Sequence, residues 1–120
     1  KLASIGKTIT AANNYAVSLV KLRRFEEARS LQRRTIPVAR RVLGETHRLT
    51  LKTRSMYAQG LYQDPGATLD DLHEAVTTPE ETERTARRVL GGAHPTTVGI
   101  EGALRSARAA LRARETPSTR

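Results

Sequence analysis

The sequence predicts an all-α protein, built of antiparallel helical hairpins stacked as a short solenoid, and three observations carry that prediction. The stretch Ala39-Arg-Arg-Val-Leu-Gly-Glu-Thr-His-Arg-Leu-Thr50 returns 47 residues later as Ala86-Arg-Arg-Val-Leu-Gly-Gly-Ala-His-Pro-Thr-Thr97, with eight of twelve positions identical. A repeat of this period is the mark of a helical solenoid. Apolar residues recur every three or four positions through five segments, which is the helical period. Each copy of the repeat ends such a segment with a glycine, Gly44 or Gly91, where a left-handed cap is needed, and opens the next after a short polar loop.

The first helix is expected over residues 8–22, with Ile9, Ala12, Ala16 and Leu19 as its stripe and Thr8 or Thr10 as cap. Val17 and Val20 widen that stripe, as in a helix touched on two sides. Lys21-Leu-Arg-Arg-Phe25 is a tight connection. A second helix follows through Phe25, Ala28, Leu31, Ala39, Val42 and Leu43 to Gly44. A short connection between helices of this length makes them antiparallel neighbours. Pro37 lies inside the second helix and predicts a kink over residues 33–37, and Pro79 is read as its equivalent in the later copy.

A third helix is expected over about 48–63 through Leu51, Ala58, Leu61 and Tyr62. Asp64-Pro-Gly-Ala-Thr is a turn by composition, and Asp70 or Thr68 caps the fourth helix, 69–90. That helix is acidic first and basic last, the order its dipole favours. A fifth helix after His94-Pro95 uses Ile100, Leu104, Ala107 and Leu111. Thr116 to Arg120 are expected to fray. The organisation is a single repeat segment over 1–120: hairpin 1 about 8–44, hairpin 2 about 48–91, and a terminal helix about 95–115.

Composition narrows the function classes. There is no cysteine, so disulfides and thiolate metal sites drop out, in keeping with a reducing compartment. No apolar run approaches the ~18 residues of a membrane span, and Lys1-Leu-Ala-Ser-Ile-Gly lacks the apolar core of a signal peptide. The expectation is a soluble, cytoplasmic protein. The net charge of +9 is uneven: +10 over residues 1–63, −7 over 64–83 and +6 over 84–120. Such a field attracts acidic partners, less so at high salt. With one Phe, three Tyr and no Trp there is little on which nucleic-acid bases could stack.

No site chemistry stands out. His47, His73 and His94 are the only histidines, and two sit in equivalent loops with few carboxylates near, so no metal is expected. Each repeat histidine is read as fixing the turn beside the glycine cap. Asp70, Asp71, Glu74, Glu80, Glu81 and Glu83 form a solvated face or a strip for a neighbour's arginines rather than an acid/base pair. There is no phosphate loop and no nucleophile elbow. The expectation is a protein that is not an enzyme and needs neither cofactor nor small-molecule substrate.

The hairpins resemble tetratricopeptide repeats, in particular the long variant of kinesin light chains. The resemblance rests on Asn13-Asn14-Tyr15-Ala16, on Phe25-Glu26-Glu27-Ala28, and on Val42-Leu43-Gly44-Glu45-Thr46-His47 with Val89-Leu90-Gly91-Gly92-Ala93-His94-Pro95. Tyr57-Ala58 repeats Tyr15-Ala16 at 42 residues, and the second hairpin turn is about five residues longer than the first. The third unit has Arg105 where the family has a small residue. Nothing resembles the light chain's coiled coil.

This resemblance implies a right-handed solenoid whose concave groove, lined by the first helix of each hairpin, binds short, partly acidic peptides. In the family's register the groove residues are Asn13, Val17, Val20 and Lys21 from the first unit and Lys52, Ser55, Gln59 and Tyr62 from the second. Amides suit an extended peptide because they donate to its carbonyls and accept from its N–H groups. Two other readings remain. One is an arginine-rich nucleic-acid binder, which requires Arg40, Arg41, Arg87 and Arg88 to form one exposed stripe. The other is a purely structural segment of a longer solenoid.

Overall fold

A computed structural model describes residues 2–116. They form five helices in chain order: α1 Leu2–Lys21, α2 Phe25–Val42, α3 Arg48–Tyr62, α4 Leu69–Leu90 and α5 Pro95–Glu115. Of the tail expected to fray, residues 117–120 lie outside the described residues. The first helix starts earlier than its apolar stripe suggested, since Leu2 to Lys7 continue the helical ladder.

Each helix packs on the next, and α1 also packs on α3 and α3 on α5, whereas α2 and α4 do not touch. The first helices of successive units are therefore adjacent while the second helices splay apart. Two layers result, with α1, α3 and α5 on the inner side of an elongated body of 57 × 30 × 19 Å. This is the tetratricopeptide-type helical solenoid.

The repeat extends well beyond the loop motif. The buried stripe of α2 is Phe25, Ala28, Gln32, Thr35 and Ala39, and that of α4 is Leu72, Ala75, Pro79, Thr82 and Ala86, each 47 residues on. In α3 and α5 the same offset relates buried Thr50, Thr53 and Tyr57 to Thr97, Ile100 and Leu104. Pro79 thus corresponds to Gln32 and not, as expected, to Pro37. The first is fully buried and the second exposed, and both helices run on through their proline.

Local chemistry sets the helix ends. Gly44 and Gly91 have φ of 99° and 93°, backbone that an L side chain rarely adopts. The imidazole Nδ1 of His47 accepts from the Leu49 N–H at 3.0 Å and that of His94 from the Thr96 N–H at 3.1 Å. The repeat histidines are N-caps, satisfying donors that the first helical turn leaves free. Of the two residues expected to cap α4, Thr68 does so. Its hydroxyl accepts from the Asp71 N–H, and the Asp71 carboxylate accepts from the Thr68 N–H, a capping box with both bonds at 3.0 Å. Between α1 and α2, Arg23 takes a left-handed φ of 62°, and its guanidinium lies 5.6 Å from the Phe25 ring centre.

Candidate peptide groove

Helical periodicity decides what the inner layer presents. Along α1, the exposed or half-buried positions Lys7, Thr10, Asn14, Val17 and Lys21 follow a 3–4 spacing, and along α3 Arg48, Lys52, Ser55 and Gln59 do the same. Lys7, Thr10 and Asn14 form one recess with Arg48 and Lys52 where α1 meets α3. Arg48, Lys52, Ser55 and Gln59 form a second with Pro95, Thr96 and Gly99 of α5. A third, deeper cavity lies further along α1 and α3 and reaches down to α2. Val17, Lys21 and Gln59 are among its lining residues. Shared residues join these three recesses along one face.

Five of the expected groove residues, Val17, Lys21, Lys52, Ser55 and Gln59, therefore lie together, as does Val20 in the deep cavity. Two do not. Asn13 is only 3% exposed, so its amide points into the protein rather than to the groove. The exposed amide on this face belongs to Asn14. Adjacent residues are 100° apart on a helix, and the motif Asn13-Asn14 gave no basis for choosing between them. Tyr62 packs beside the core cluster of Tyr57, Ala58, Leu61, Ala75 and Ala107 and is not among the residues lining these three recesses. Lys7, Asn14 and Arg48, which were not among the expected residues, share this face, and the signal for them is the 3–4 spacing of polar positions.

The electrostatics of this face differ from those of the outer layer. Lys7, Lys21, Arg48 and Lys52 have no ion-pair partner among the described residues, and no carboxylate lines the three recesses. Elsewhere, several arginines are paired with carboxylates. Arg54 of α3 bonds Glu81 of α4 at 2.9 Å, Arg108 of α5 bonds Glu80 at 3.0 Å, and Arg87 bonds Glu83 and Glu101. The acidic strip of α4 thus receives arginines from its two neighbouring helices, as one sequence reading held. Arg40 is taken up by Glu45 at 2.6 Å. Arg40 and Arg41 close α2 while Arg87 and Arg88 close α4, two helices without direct contact, and Arg40 and Arg87 are engaged by carboxylates.

Two polar clusters hold the walls of the groove. The Tyr57 hydroxyl donates to Glu74 at 2.9 Å and accepts from Arg33 at 3.1 Å, tying α3 to both α2 and α4. Burial, together with the Glu74 carboxylate, pushes the phenol pKa up against the opposing pull of Arg33. Asp64, in the α3–α4 turn, accepts from Arg29 at 2.8 Å and from the Gly66 N–H at 2.8 Å. Burial would raise its pKa, but these bonds and the positive charge outweigh it and hold the carboxyl below its usual range. Arg114 of α5 donates to the Ala67 carbonyl at 2.6 Å, pinning the same turn. Among the described residues no group of three histidines or carboxylates is placed to hold a metal ion, and no helix is long and apolar enough to cross a membrane.

Residues 8–49, which run from α1 through the first hairpin to the start of α3, match the family model of the tetratricopeptide repeat. No curated protein and no solved structure matches the chain.

Proposed function

We propose that this chain, a tetratricopeptide repeat protein by its first hairpin and its fold, is a non-enzymatic, cytoplasmic scaffold that binds acidic linear peptides along α1, α3 and α5. Tetratricopeptide repeats in general mediate protein–protein interactions. The observation that supports an acidic ligand is the charge of the inner face, where four unpaired cations, Lys7, Lys21, Arg48 and Lys52, stand beside the amides of Asn14 and Gln59 with no carboxylate among them. Cations gathered on one face with no carboxylate among them favour an anionic partner. The further likeness to kinesin light chains is part of this proposal and rests on the three sequence motifs.

The test is fluorescence anisotropy with a labelled acidic peptide library and a labelled random RNA, at low and at near-physiological salt. The expected result is peptide binding that survives physiological salt. Lys52→Glu and Arg48→Glu should each weaken it about tenfold, the effect of roughly 1.4 kcal/mol at a charged contact. RNA binding of equal strength, or peptide affinity unchanged in both variants, rejects the groove.

A further inference from the structure

The recess where α1 meets α3 gathers more positive charge than the other two recesses of the inner face. Lys7, Thr10 and Asn14 from one side of α1 and Arg48 and Lys52 from α3 line it, all five exposed, and the small residues Ala3, Gly6 and Ala11 with Leu49 complete the lining. Three cations thus surround one hollow, with a hydroxyl and an amide beside them and no carboxylate in its walls. None of the three has an ion-pair partner among the described residues. Arg48 and Lys52 stand four residues apart on α3, a spacing at which like charges repel and destabilise a helix. The fold keeps together a charge that it does not itself neutralise.

The repeat shows that this charge is not a by-product of the architecture. At the 47-residue offset Arg48, Leu49 and Lys52 correspond to Pro95, Thr96 and Gly99, which line the next recess, between α3 and α5. The following unit therefore supplies no cation at either equivalent place. The α1–α3 recess measures about 620 Å³, within the range of ligand sites.

We infer that this recess is a subsite for a phosphoryl group, the monoester of a phosphoserine or phosphothreonine in the bound peptide, an inference that rests on the reading of α1, α3 and α5 as a peptide groove. A phosphate monoester brings close to two negative charges and three strong acceptor oxygens on a single phosphorus. A glutamate or aspartate brings one charge and two oxygens, and so leaves most of the charge of the recess unanswered. Arg48 offers a planar fork to two phosphate oxygens, Lys7 and Lys52 supply point charges from the two helices, and the Thr10 hydroxyl and Asn14 amide donate to what remains. Nucleic acid fits less well. Its phosphates are singly charged diesters strung along a backbone and call for a track of cations, which Pro95 and Gly99 interrupt, and no aromatic side chain lines the recess for a base to stack on.

The experiment is fluorescence anisotropy of the whole chain at near-physiological salt, with labelled pentapeptides Glu-Glu-X-Glu-Glu in which X is phosphoserine, glutamate or serine, and with a labelled random RNA. The phosphoserine peptide should bind about tenfold more tightly than the glutamate peptide, through its extra charge and one or two added charge-assisted hydrogen bonds. Lys7→Ala, at an exposed position where alanine favours the helix, should erase that preference. Lys21, at the deep cavity that Gln32 of α2 also lines, is about 21 Å further along α1 and outside the reach of the same phosphate. Lys21→Ala should therefore weaken both peptides alike and keep their ratio. Glutamate-peptide binding with no gain from phosphoserine overturns the inference and leaves the acidic groove standing. A preference that survives Lys7→Ala, a preference that Lys21→Ala removes, or RNA binding as tight as that of the phosphopeptide also overturns it. Binding of the phosphoserine peptide alone supports the phosphoryl site and rejects unmodified acidic ligands, and binding of no peptide rejects both.

Discussion

Replacing Gln32 by leucine should stabilise the protein. Leucine is close to glutamine in volume, and α2 already buries this position in the same stripe as Ala28 and Thr35. The substitution removes two polar atoms that are out of water and unpaired. Leaving such a group unsatisfied costs about 1–3 kcal/mol, and leucine also surrenders less rotamer freedom on burial than glutamine, by up to about 1 kcal/mol. The expected gain is therefore about 1–3 kcal/mol. In urea denaturation followed by helical circular dichroism, with a slope near 1.5 kcal/mol per M for a chain of this size, the midpoint should rise by about 0.7–2 M at unchanged slope. An unchanged or lower midpoint would refute the reasoning, because it would mean that solvent entering through the cavity mouth already satisfies the amide.

Three further outcomes are expected. Tyr57→Phe removes the hydroxyl that joins Arg33 to Glu74 and should destabilise by about 1–3 kcal/mol, measured by the same denaturation; a loss under 0.5 kcal/mol would show that this bridge adds nothing. Gly44→Ala and Gly91→Ala should each cost about 1–2 kcal/mol from backbone strain alone, because a Cβ at either place meets no atom within 4 Å. Equal stability of either variant would contradict the left-handed cap. Asp64 has a folded-state pKa below its unfolded one, so its contribution is complete above the unfolded value and disappears as pH falls through the folded value. Asp64→Asn should accordingly be less stable than the parent at neutral pH, and the difference should shrink through the acid range; a difference that grows with acidity would invert the assignment.

Much of the fold was legible in the chain because it depends on local chemistry repeated at a fixed distance. The 47-residue period, the two glycines with positive φ, the threonine that opens α4 and the 3–4 spacing of apolar residues are all properties of short stretches. They determine where helices start and stop, and short connections then leave antiparallel hairpins as the packing. The basic character of the inner face was likewise present in Lys21 and Lys52.

Tertiary structure decided the rest. Asn13 and Asn14 are neighbours in sequence but 100° apart on α1, so only the position of α2 and α3 shows that the first is buried and the second faces the groove. Tyr57, Arg33 and Glu74 come from three helices and have no sequence spacing that announces their contact. The cavity has the same origin. It exists because Val20, Gly60 and Gln32 meet from α1, α3 and α2. A sequence records local preference and period, while a void is the space left when three separate surfaces fail to fill one volume, and that quantity is defined only once the helices are packed.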